Sequence, residues 1–122
     1  MGLFDFLFKA REPKISEVDI LRNKLEEVFA AEYNNYELRK DVHISEIKIS
    51  DEDISYSYGL YSGSVIPKAL IMVINNRNDY RTRPFKVAKI IAENEGIVYL
   101  NFFSHLPNEM DYISQLLKDN IK

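Results

Sequence analysis

Two hydrophobic periods alternate along this chain. Val18, Leu21, Leu25, Val28 and Phe29 recur at spacings of three and four, with Glu17, Arg22, Lys24, Glu26 and Glu27 between them. That is the stripe of an amphipathic helix. Ser16 stands where an N-cap is needed and Asp19 follows three residues on, while Ile15 and Ile20 suit a hydrophobic staple. The helix is expected to end near Asn34-Asn35. The period then falls to two. In SEIKIS, Ile47 and Ile49 alternate with Glu46 and Lys48, which predicts a first strand. Ser50-Asp51-Glu52-Asp53 has turn chemistry. In ISYSYGLYSG, strict alternation sets Ile54, Tyr56, Tyr58 and Leu60 on one face, and Ser55, Ser57, Gly59 and Tyr61 on the other. Val65 to Ile74 reads as a third strand with Pro67 near its start, where a missing amide does least harm. These three strands should form an antiparallel meander.

FKVAKIIAENEG fits two periods. As a helix it places Lys86, Lys89 and Glu93 on one side and Phe85, Val87, Ala88, Ile91 and Ala92 on the other. Thr82 or Arg83 would start it, Pro84 suits its first turn and Gly96 its end, so the helix is preferred to a hairpin strand. IVYLNFF is then a fourth strand. A last helix follows Pro107-Asn108, with Met110, Ile113, Leu117 and Ile121 on one face. The fold class is α+β: an antiparallel sheet of about four strands packed against helices, in the order α-β-β-β-α-β-α. Residues 15–122 form one domain, preceded by a short apolar arm at 1–14.

That arm begins MGLFDFLFKA, with Leu3, Phe4, Leu7 and Phe8 on one helical face. Such a face is expected to dock on the domain or on a second copy of the chain, which would make a homo-oligomer. A membrane surface is the weaker alternative, because Asp5 comes first and Lys9 and Arg11 arrive late. Phe6 stands where a myristoylation motif needs Ser or Thr. No secretory leader is read in the opening residues, and no apolar run reaches spanning length. The chain has no cysteine, hence no disulfide framework, thiolate metal site or thiol nucleophile, which fits a cytoplasmic setting.

Charge changes the picture more than composition does. The net charge is −3, but residues 1–61 hold 8 bases against 13 acids and residues 62–122 hold 8 against 6. Arg77, Arg81, Arg83, Lys86 and Lys89 crowd into one segment with only Asp79 as counter-charge. Arginine forks beside Tyr80 suit an anion, so Arg77, Tyr80, Arg81 and Arg83 are candidate contact residues. The acidic balance of the whole chain argues against nucleic acid as the main partner. Tyr61, expected to face outward, is a further contact candidate, since exposed tyrosines favour protein interfaces. Phe4 and Phe8 of the arm complete the set.

No catalytic constellation can be read along the chain. The two histidines, His43 and His105, have no sequence signal linking them to a nucleophile and an orienting group. A His43 or His105 set in a cleft, bonded to a carboxylate and beside a nucleophile, would contradict this. Asp51-Glu52-Asp53 fails as a calcium loop, because Tyr56 or Tyr58 falls where glycine is required. No glycine-rich phosphate loop is present, and no cofactor is implied. The element order resembles that of type III secretion chaperones, although a single strand separates the last two helices. Size, acidity and the lack of a catalytic motif resemble the immunity proteins that neutralise a cognate secreted toxin. The expected function is a non-catalytic protein-binding module of bacterial style, most concretely an immunity protein. The alternatives are a secretion chaperone and an accessory protein that contacts anions through residues 77–89.

Overall fold

The computed structural model describes residues 16–121. The expectations placed on the arm, including Phe4 and Phe8, fall outside those residues. The element order is α1 (Glu17–Glu32), β1 (Glu37–His43), a 3-10 turn (Ile44–Glu46), β2 (Ser55–Tyr61), β3 (Ala69–Ile74), a short α2 (Arg77–Tyr80), α3 (Arg83–Asn94), β4 (Val98–Phe103) and α4 (Met110–Asn120). The α+β class and the order of the major elements are those the hydrophobic pattern predicts. The sheet runs β1-β2-β3-β4. Its first three strands are the expected antiparallel meander, whereas β4 returns parallel to β3 after α3, so the sheet is mixed. No helix among the described residues is long and apolar enough to cross a membrane.

Local chemistry accounts for the boundaries. The Ser16 hydroxyl accepts from the Asp19 amide at 3.1 Å and starts α1. Pro84 sits in the first turn of α3, and Gly96, at φ +73°, ends the chain's excursion before β4. Two boundaries differ from expectation. The first strand is ELRKDVH, not SEIKIS. Ile44 to Glu46 instead form a capped turn, and Ile49 is left 96% exposed. The third strand begins only at Ala69: Pro67 has no amide to donate, the first backbone bonds after it are made by Lys68, and Val65 and Ile66 are left exposed. The last helix also starts later: Asn108 adopts a positive φ of 48°, and its side-chain amide donates to the carbonyls of Phe103 and Leu106.

Both faces of the sheet are covered. One face packs Leu60, Ala69, Ile71, Leu100 and Phe102 under α1 and α4, through Leu21, Leu25, Phe29, Ile113 and Leu117. The other packs Tyr61, Leu70, Met72 and Ile74 under α3, through Ala88 and Ala92. This makes three layers, with the sheet as the apolar middle.

The β1–β2 ladder inverts its faces part-way along. Leu38 and Tyr58 belong to the α1–α4 side, whereas Val42 and Tyr56 belong to the α3 side. The pairing runs from Glu37 against Tyr61 to His43 against Ser55, with Asp41 opposite Ser57 as its one gap. Asp41 takes the left-handed conformation, φ 53°, which rotates the following side chains to the other side. Arg22 of α1 sits at this crossing. Its guanidinium donates to the Asp41 carboxylate at 3.3 Å and to the Ser57 carbonyl at 3.5 Å, and lies 4.6 Å from the centre of the Tyr58 ring. The Ser57 hydroxyl takes the Val73 amide at 2.9 Å in place of a strand carbonyl. Tyr56 and Tyr58 therefore do not share a face. The Tyr56 hydroxyl donates to the Ala88 carbonyl of α3 at 2.6 Å, and the Tyr58 hydroxyl to Glu26 of α1 at 2.6 Å.

Gly59 occupies the tightest point beyond the crossing. A Cβ there would stand 2.8 Å from a ring carbon of Tyr61 and 3.2 Å from a methyl of Val42. Gly59→Ala should cost about 1–3 kcal/mol, the usual penalty of overpacking, read as a lower midpoint in denaturant.

Glu26 links the layers electrostatically. Its carboxylate holds Lys40 at 2.8 Å as well as the Tyr58 hydroxyl, and the Lys40 bond, then the Tyr58 bond, pull its pKa below the ordinary value of 4.5. A depressed folded-state pKa favours folding most when the unfolded carboxyl is ionised too. The Glu26 contribution is thus complete above roughly pH 5 and fades as pH falls through the folded pKa. Glu26→Gln should flatten the loss of stability between neutral and acid pH, followed by urea unfolding across that range.

Candidate functional site

The basic segment divides when it folds. Asn76 caps α2 by accepting from the Asp79 amide at 3.0 Å, and the Thr82 hydroxyl donates to the Asp79 carbonyl at 2.6 Å. These bonds turn the chain between α2 and α3. Arg83, the first residue of α3, then points to the 50–53 turn, where its Nε donates to Glu52 at 2.7 Å. Arg83 is thereby withdrawn from the other cations. The side chain of Arg77 is not among those described.

Arg81 stays with two lysines of α3. It lines a shallow open groove with Tyr80, Lys86, Lys89, Ile90 and Glu93. Lys86, Ile90 and Glu93 lie at i, i+4 and i+7 and so share a face of α3, which leaves Ile90 as an apolar residue on the polar side of the helix. Tyr80 is held against the domain, its ring edge-on to Phe103 at 5.5 Å between centres. Ile90 is 54% exposed. Among the described residues, none of Arg81, Lys86 and Lys89 makes an ion pair. The groove thus combines three unneutralised cations, an aromatic edge and a bare aliphatic side chain, with one carboxylate at its end.

The charge asymmetry of the sequence becomes an asymmetry across the sheet. On one side, α1 and α4 carry Glu17, Asp19, Glu26, Glu27, Glu32, Asp111 and Asp119 against Arg22, Lys24 and Lys118. On the other, residues 77–94 carry five bases against Asp79 and Glu93. Bases in the first turn of α3, with no side-chain bond from Thr82 and no acid within that turn, oppose the helix macrodipole. The sequence places positive charge where it costs helix stability.

Tyr61 is not the exposed contact expected of it. It is only 2% exposed, because α3 covers the sheet face opposite Tyr58 and Leu60, the face on which alternation places it, and the Arg39 guanidinium covers its ring at 4.1 Å. A second, more apolar surface surrounds the start of α4. Leu106, Pro107, Asn108, Glu109 and Tyr112 form an open depression, with Leu106 and Tyr112 42% and 51% exposed. Lys24 braces it by donating to the carbonyls of Pro107 and Asn108 at 3.2 and 3.1 Å.

One constellation was invisible in the sequence. His43 accepts from the Ser45 amide at Nδ1, 3.2 Å, so its proton is assigned to Nε2, which donates to Asp53 at 2.9 Å. The Ser45 hydroxyl lies 2.8 Å from the same Nδ1. A serine, a histidine and an aspartate are therefore in series, so His43 does stand bonded to a carboxylate and beside a nucleophile. The cleft is what differs. The Asp53 side chain is fully exposed and that of His43 is 38% exposed. A serine nucleophile of this type depends on a buried orienting carboxylate and on donors aimed at a developing oxyanion. The arrangement is also accounted for as a cap: His43 caps the 3-10 turn while Glu46 accepts the His43 amide at 3.0 Å. His105 stacks edge-on with Phe103, while the hydroxyl of its neighbour Ser104 is bonded to Asn75 instead. Among the described residues, no three histidine or carboxylate side chains converge as metal ligands.

Compared with family models, with curated proteins and with solved structures, the chain has no significant match to any of them.

The capping account of His43 has a direct check. Ser45→Ala and the parent chain should hydrolyse p-nitrophenyl acetate at equal rates, while His43→Ala lowers thermal stability through loss of the cap, by about 1 kcal/mol. A parent rate that exceeds that of Ser45→Ala tenfold would make Ser45 a working nucleophile.

Proposed function

We propose that this chain is a non-catalytic protein-binding module whose contact face is the groove of α2 and α3. The observation that carries this reading is the conjunction of exposed Ile90 and the Tyr80 edge with Arg81, Lys86 and Lys89, all three without ion-pair partners among the described residues. Aromatic and aliphatic groups ringed by charge suit a protein surface, where apolar anchors supply affinity and rim charges set orientation. Nucleic acid fits less well, because Glu93 stands in the groove and the layer behind the sheet is acidic. The most concrete version is an immunity-type protein that neutralises a cognate toxin, acting in the cytoplasm. A secretion chaperone is the second version, favoured by the apolar depression beside α4 as a place to hold an unfolded segment.

Lys86→Glu/Lys89→Glu tests the module. Both side chains lie on the helix surface, so the double variant should keep its stability to within about 0.5 kcal/mol per site. The parent chain should retain a specific protein from an extract of its native cells at low salt, and the variant should not. Toxicity of that protein in cells lacking this chain would mark immunity; dependence of its export on this chain would mark a chaperone. Equal retention by both forms would place the contact elsewhere.

A further inference from the structure

We infer that the segment docked in the α2–α3 groove is acidic, carries one large apolar side chain between its acids, and places a basic residue at the Glu93 end. This rests on the protein-binding reading and specifies its partner. The argument is the order of chemistry along α3. Lys86 comes first, Lys89 and Ile90 lie near the next turn, and Glu93 closes the row, a rise of roughly 10 Å over seven residues. Tyr80, the last residue of α2, and Arg81 just after it flank the row. A complementary segment thus meets Lys86 first, then Lys89 beside the exposed Ile90, then a carboxylate, with Arg81 and Tyr80 alongside. Two partner carboxylates would face Arg81, Lys86 and Lys89, and an apolar side chain would cover Ile90.

Glu93 is what separates this partner from a generic polyanion. A phosphate backbone repeats its charge at every unit and would meet repulsion at Glu93, whereas a polypeptide can change sign there. A second copy of this chain would have to offer its acidic α1–α4 layer to the groove, a heterologous contact that joins copies head to tail into a ring or an open filament instead of a simple two-fold dimer. A partner of different sequence is therefore the occupant chosen.

The probes are short synthetic peptides in which glutamates surround one leucine and a lysine ends the chain, titrated into the full-length protein with amide shifts followed by NMR. Shifts confined to Tyr80, Arg81, Lys86, Lys89, Ile90 and Glu93 are expected. Binding should weaken about tenfold in Lys86→Glu/Lys89→Glu and fall as salt rises. Glu93→Lys should reverse the preference for a terminal lysine over a terminal glutamate. Tighter binding of the same peptide with lysines in place of glutamates would overturn the acidic assignment while leaving a protein-binding face. Tighter binding of tripolyphosphate or oligothymidine at these residues would overturn both readings. A mass that grows with protein concentration in light scattering, and returns to monomer in the double variant, would make a second copy the occupant and overturn the inference. Absence of any shift with all peptides would overturn the inference alone, since the capture experiment reads the module independently.

Discussion

The fold depends on a single inversion in its first hairpin. A strand that alternates without interruption can serve only one core through each parity of residues, yet Tyr56 and Tyr58 anchor opposite helical layers. The left-handed turn of the backbone at Asp41 and the missing pair with Ser57 make this possible. Arg22 holds the break from outside, through the Asp41 carboxylate, the Ser57 carbonyl and the Tyr58 ring. Beyond the inversion, Gly59 leaves the room that the Tyr61 ring takes on the α3 side. Polar groups freed at the break are recovered locally: the Ser57 hydroxyl serves β3, so the crossing does not leave the Val73 amide unpaired.

Much of the architecture was legible because most elements bury a simple face. The stripes of α1 and α4 point to one environment each, and the unbroken apolar run of β3 marks a strand buried on both faces. β1 was missed for a physical reason. It is an edge strand with only Leu38 and Val42 as apolar anchors, and its charged residues face solvent, as suits an unpaired edge. SEIKIS offered a cleaner alternation, but His43 and Glu46 cap a turn at its start, and the cap outweighs the period. Tyr61 was misread because alternation places it on the face opposite Leu60 but does not tell that α3 covers that face too.

The candidate site shows the same division. Lys86, Lys89 and Glu93 could be placed together from helical spacing. Tyr80 and Arg81 joined them because the turn between α2 and α3 is short. Arg83 could not have been excluded from sequence, since its partner Glu52 is distant in the chain. The series Ser45, His43 and Asp53 was equally hidden, for it exists only once β2 brings Asp53 back beside the 3-10 turn. Solvent around Asp53 weakens the orientation that a buried carboxylate would impose.

The parallel register of β3 and β4 has a consequence for how the chain reaches this structure. The β1–β2 and β2–β3 pairs join neighbouring segments, whereas Ala69 pairs with Val98 only after α3 and both of its connections are in place. Loop-closure entropy must be met before that contact is rewarded. The meander is thus the low-contact-order part of the molecule and the β4 docking the high-contact-order part. Until β4 arrives, the outer edge of β3, apolar on both faces, is an open template for another strand. The interval before that closure is when this chain is most exposed to mispairing.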